Sequence, residues 1–283
     1  MIKMQLKLMF SRPHFYIVLV LCTIMSIVFF IIAPNTPVGM VSHEFLYWGN
    51  YYTRGFSVFS TIYPFLLVVP FATSVVDDVS KKTCTGIFLR CDRKRYVLAK
   101  YAAVFVGNFL VIFIPFLLNL LLCFRFYGSN ERSPFGERRL GNIDNMLYGT
   151  HKGYHSLSGK MLFADIFYDK PFLFYFLYLL LFAFVTGMLG VLVMSVSMWM
   201  RRYKIFLFLP VYILMRVGST YTSMSLDRAI GNPNRTFINL NLMDYVSPFG
   251  VGGCYYPILA GFIVLIIAFA AVSGIHMTRK EIV

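Results

Sequence analysis

The stretch DDVSKKTCTGIFLRCDRKRYVLAK, residues 77–100, lies between two long apolar runs, and its reading decides the fold. Lys81, Lys82, Arg90, Arg93, Lys94 and Arg95 give it the basic bias that holds a short loop on the cytoplasmic side of a bilayer. The flanking apolar runs then read as membrane spans. Inside the basic segment Gly86 is followed by Ile87, Phe88 and Leu89, three large apolar side chains where chain should face water. Two readings are open: the triplet folds back onto the ends of its own spans, or it enters a groove on a cytosolic partner with the basic residues as the rim.

Outward from this loop, six apolar runs of spanning character are expected at about 15–33, 56–76, 97–124, 171–200, 205–220 and 257–275. A chain that is 58% hydrophobic and only 13% charged is too apolar for an ordinary soluble domain. The fold class expected is an all-α polytopic membrane protein, one transmembrane domain over residues 1–283. No water-facing segment exceeds the outer loop at 125–170, which leaves no room for a separate catalytic domain, so any energy source is expected on another chain. The formal charge of +14 sits at span ends, where orientation and anionic lipid account for it, and nucleic acid is not the expected partner.

The segments expected inside (1–14, 77–100, 201–204 and 276–283) hold 15 of the 26 Lys and Arg in 50 residues, against 11 in 110 for those outside, which puts both termini in the cytoplasm. No cleavable signal is expected, because the first run ends at Ala33-Pro34-Asn35-Thr36 without a small-x-small site. Before it, Ile2, Leu6, Met9 and Phe10 share a helical face opposite Lys3, Lys7 and Arg12, the pattern of an amphipathic helix in the cytoplasmic interface that Pro13 ends. Leu162, Phe163, Ile166 and Phe167 predict a second helix lying on the outer surface, as an anchor or a lid.

Polar positions inside the spans are few. Asn108, Pro115 and Asn119 project to one face of the third span, which should not turn to lipid. Thr186, Gly190 and Ser197 make a small or polar stripe on the fourth, suited to close helix contact, and Pro64 and Pro70 call for neighbours around the second. Arg216 interrupts the fifth, where it either snorkels to the outer interface or lines a path with Asn108, Asn119, Thr186 and Ser197. Catalytic, metal and cofactor residues are not expected. No phosphate-binding G-x-x-x-x-G-K-[ST] is present, Leu157-Ser158-Gly159-Lys160 is only a partial echo of an ATPase signature, and His151 and His155 flank a helix-weakening Gly153. Cys22 and Cys123 fall in spans, Cys84 and Cys91 in the basic loop, and Cys254 alone outside, so no outer disulfide forms within one chain.

An acidic residue closing the second span, a Gly about eight residues on, a short apolar turn, an Arg-Tyr pair and a Lys opening the third span together resemble the permease subunits of type-2 ATP-binding-cassette (ABC) exporters. The matching residues are Asp78, Gly86, Ile87 to Leu89, Arg95, Tyr96 and Lys100. The resemblance covers this loop best, and more loosely the N-terminal helix and the number of spans. It implies a multi-pass plasma-membrane protein that works with two ABC ATPase subunits, which hold ATP and Mg, and with a second permease copy as a homodimer in membrane lipid. It also implies that Asp78, Lys82, Gly86, Ile87, Phe88, Leu89, Arg93 and Arg95 face the ATPase through a short coupling helix. The interior stripes of Asn, Thr, Ser, Met and Phe offer no fixed charge for a small ion, so the substrate expected is an amphipathic peptide or lipid. The alternative is a non-transporting immunity or assembly protein that binds a peptide or partner helix.

Overall fold

The computed structural model describes residues 1–32, 54–69, 74–80, 92–127, 162–166, 169–199, 204–231, 240–246 and 256–279. They form α1 (Ile2–Phe10), α2 (Pro13–Ile32), α3 (Arg54–Val68), α4 (Ser74–Ser80), α5 (Arg93–Tyr127), α6 (Pro171–Trp199), α7 (Leu209–Gly231), α8 (Leu242–Val246) and α9 (Tyr256–Arg279). Two 3-10 segments, Ala164–Ile166 and Lys204–Phe208, complete them, and no strand occurs among the described residues. The all-α expectation holds. Among these residues α5, α6 and α9 are long and apolar enough to cross a bilayer, and α1 with α2 makes a fourth unit bent by 64°. The chain is membrane-associated.

Asp92 starts the longest helix. Its carboxylate accepts the Lys94 backbone N–H at 3.3 Å, filling one of the donors a helix start leaves open, and its carbonyl accepts the first intrahelical bond, from Tyr96 at 3.1 Å. The 35 residues of α5 reach about 52 Å, well beyond a hydrocarbon core of about 30 Å, so the helix has length to spare outside it. Burial then ranks the long helices: 72% of the most apolar window of α6 is buried, 50% of that of α5 and 22% of that of α9. Helix α6 is therefore the centre, and α9 an edge with Val264, Leu265 and Val272 turned outward. Helix α2 likewise exposes Ile17, Val20 and Ile24. In lipid such faces cost nothing, and cohesion must come from close packing and internal hydrogen bonds.

Both devices are present. Phe59 and Tyr63 of α3 meet Phe116 of α5 and Phe182 of α6 with ring centroids 5.4–6.2 Å apart, and all four are fully buried. Close approach depends on glycine at two crossings: a Cβ on Gly190 would overlap the Asn108 amide, and one on Gly107 would overlap the Met9 sulfur. Helix α1 thus packs on the middle of α5. Of the expected apolar face, Met9 is buried and Leu6 and Phe10 pack against the core, while Ile2 is exposed and Gln5 is covered in its place. The Met9 side chain lies against Gly107, and Ile2 and Leu8 face outward.

Three further expectations change. The second expected span is two helices, α3 ending at Val68 and α4 starting at Ser74, with Pro70 between them outside the described residues. Proline lacks the N–H and disfavours helix in the residue before it. In the fifth, α7 runs on to Gly231 rather than stopping near 220. Thr222 returns the chain, its hydroxyl donating to the Gly218 carbonyl at 2.8 Å and accepting the Leu240 N–H at 2.9 Å. Of the surface helix expected around 162–167, the described residues 162–166 hold a single 3-10 turn, Ala164–Ile166. Phe163 takes a positive φ of 63° and packs edge-on to Tyr178, while the Leu162 N–H donates to the Tyr256 hydroxyl at 2.9 Å, so these apolar residues pack onto the bundle.

Candidate functional site: the charged base of the 77–100 segment

Successive residues on a helix point about 100° apart, so the neighbours Asp77 and Asp78 near the end of α4 reach different helices. Asp77 Oδ2 lies 3.2 Å from Arg12 Nη1, in the turn between α1 and α2. Asp78 Oδ2 lies 2.8 Å from Lys100 Nζ and accepts the Tyr96 hydroxyl at 2.6 Å. Tyr96 and Lys100 are one helical turn apart on α5 and share a face, with the Lys100 ammonium 5.6 Å from the Tyr96 ring centroid. At the start of α5, Arg93 Nη1 donates to the Thr278 carbonyl near the end of α9 at 3.3 Å. Three helices, α4, α5 and α9, with the α1–α2 turn, meet in this cluster.

The two ion pairs differ in kind. Arg12 and Asp77 keep 30% and 22% of their side-chain surface in contact with solvent, so their attraction is largely screened. Lys100 keeps 1% and Asp78 18%. A buried ammonium is costly without its counter-charge, and removing one partner of such a pair costs about 3 to 5 kcal/mol. The carboxylate, the phenol and the aromatic face together make burial of Lys100 tolerable.

The structure places the expected site residues unevenly. Asp78, Arg93 and Arg95 flank the loop; Lys82, Gly86, Ile87, Phe88 and Leu89, with the coupling helix, lie outside the described residues, as do His151 and His155. Asn108 and Asn119 are buried, as the face argument requires. The Asn119 amide donates to the Ser26 carbonyl of α2 at 2.9 Å, and the Ser26 hydroxyl returns a bond to the Pro115 carbonyl at 3.0 Å. Asn108 sits against Gly190 and donates to the Val104 carbonyl at 3.0 Å. Thr186 bonds the Tyr63 hydroxyl at 2.7 Å and its own helix at Phe182, and Ser197 bonds Met194. Arg216 is exposed, its guanidinium 5.6 Å from the Tyr212 ring centroid.

Sequence reading missed Arg12 as the partner of Asp77 and the burial of Lys100. The i, i+4 spacing of Tyr96 and Lys100 behind a pair of aspartates was the available signal. It also missed Tyr101, whose hydroxyl donates to the Ala270 carbonyl at 2.9 Å and accepts from Ser195 at 3.2 Å, tying α5, α6 and α9. Among the described residues no cluster of His, Cys, Asp or Glu is arranged to hold a metal ion. Compared with models of protein families, with curated proteins and with solved structures, the chain matches none.

Proposed function

We propose that the chain is the membrane-spanning permease subunit of an ABC exporter of the type-2 kind, with six spans and both termini in the cytoplasm of the plasma membrane. It pairs with a second copy and two separate ATPase subunits. ATP and Mg bind on those partners, and the substrate is an amphipathic peptide or lipid. The observation that carries this reading is the Asp78–Tyr96–Lys100 cluster. It ties the helix entering the basic 81–91 loop to the helix leaving it, and Asp77 ties the entry to Arg12. A loop pushed by a partner moves its spans only if its two ends are held to the bundle.

The test is purification from the native source. An ATPase should come with the chain and hydrolyse ATP, and Leu89→Asp should release it while the permease stays folded, because an apolar anchor is lost at a docking surface. A second reading, a non-transporting immunity or assembly protein, is favoured by the internal hydrogen bonds of Asn119, Thr186 and Ser197. Recovery of the chain with no ATPase, and with Leu89→Asp binding its partners as wild type does, would put that reading first.

A further inference from the structure

Helices α5 and α9 touch along their inner sides, where Tyr101 bonds Ala270, and beside that contact they leave a groove of about 630 Å³ open to the outside. Its room comes from small residues, Ala102 on α5 with Ala271 and Gly274 on α9, and Phe105 and Ile267 form walls. One end is basic. Lys94 lines the groove there, Arg93 is bonded to Thr278 and Arg279 follows it, while among the described residues no carboxylate pairs with Lys94. Asp92, the nearest carboxylate in sequence, accepts the Lys94 backbone N–H.

We infer that this groove is a binding site for one anionic glycerophospholipid, with an acyl chain along α5 and α9 and the phosphate at Lys94. The inference needs only that α5 and α9 lie in a bilayer, and it stands apart from the transport reading. From Lys94 to Val106 the helix rises about 18 Å, close to the roughly 15 Å of hydrocarbon in one leaflet, so the groove has the reach of one lipid tail. An open apolar furrow forfeits dispersion contacts unless something fills it, and lipid is the local solvent. Basic residues beside a furrow between helix ends select an anionic headgroup. A second copy of this chain fits worse. A two-fold contact through this face would set two such basic ends side by side.

Native mass spectrometry of the detergent-purified chain tests this, with phosphatidylglycerol or phosphatidylcholine of matched tails added. One phosphatidylglycerol should stay bound per chain under activation that strips phosphatidylcholine. Lys94→Gln, an exposed change that leaves packing intact, should weaken phosphatidylglycerol about fivefold, toward the phosphatidylcholine level. Ala271→Phe, which fills the groove, should weaken both lipids. Equal retention of the two lipids by the wild type, or undiminished phosphatidylglycerol binding in Lys94→Gln, would overturn the proposal. So would a dimer of the chain that Ala271→Phe dissociates, since the occupant would then be a second copy.

Discussion

Asp77 and Asp78 are adjacent in sequence and differ in what they hold. Asp77 pairs at 3.2 Å with an arginine that keeps nearly a third of its side-chain surface in solvent, whereas Asp78 pairs at 2.8 Å with a lysine that keeps almost none. Distance alone separates them little. Burial separates them, because a surface pair competes with water that already solvates both ions, while Lys100 has given up that water and depends on what replaced it. The first pair can open and close at small cost. The second fixes α4 to α5, and with them both ends of the basic loop.

The largest effect expected from this contrast is for Asp78→Ala. It strands the Lys100 ammonium in the bundle and should cost about 3 to 5 kcal/mol, seen as a large fall in the unfolding temperature of the purified protein. Tyr96→Phe keeps the ring beside Lys100 and removes only the hydroxyl donated to Asp78. The loss should be about 1.5 to 3 kcal/mol, as for hydrogen bonds to charged groups, and a result as large as that of Asp78→Ala would mean that the phenol, not the ammonium, is the main tie. Asp77→Asn should cost no more than about 1 kcal/mol, and the difference from wild type should shrink further in high salt. A large, salt-independent loss there would erase the contrast.

The sequence made much of this arrangement legible, for identifiable reasons. Long apolar runs with charges at their ends announce helices in a bilayer, and α5, α6 and α9 lie where such runs predict. Buried asparagines on one face of α5 follow from the price of an unpaired amide in hydrocarbon. Rotation and partner choice did not follow, because both depend on which helix is adjacent. Helix α1 meets Gly107 through Met9, nearly a hundred residues away in sequence, and it covers Gln5 in place of Ile2. The reach of α7 past residue 220 was hidden because its C-terminal half is polar, and periodicity in a mixed stretch gives no stop signal. Lys100 was legible only as the Lys opening the third span, and its partner was not legible. Only the fold, which brings Asp78 and Tyr96 onto it, shows that it is buried.

The central claim is that Asp78 and Lys100 act as one buried unit, and a double-mutant cycle of thermal unfolding with Asp78→Asn, Lys100→Met and their combination tests it most directly. Replacing both charges removes the stranded ion that each single change to Asp78 creates, so the double variant should be at least about 2 kcal/mol more stable than the sum of the two single effects implies, and more stable than Asp78→Asn alone. Additive losses within about 0.5 kcal/mol would show two residues that do not feel each other, and would contradict the account.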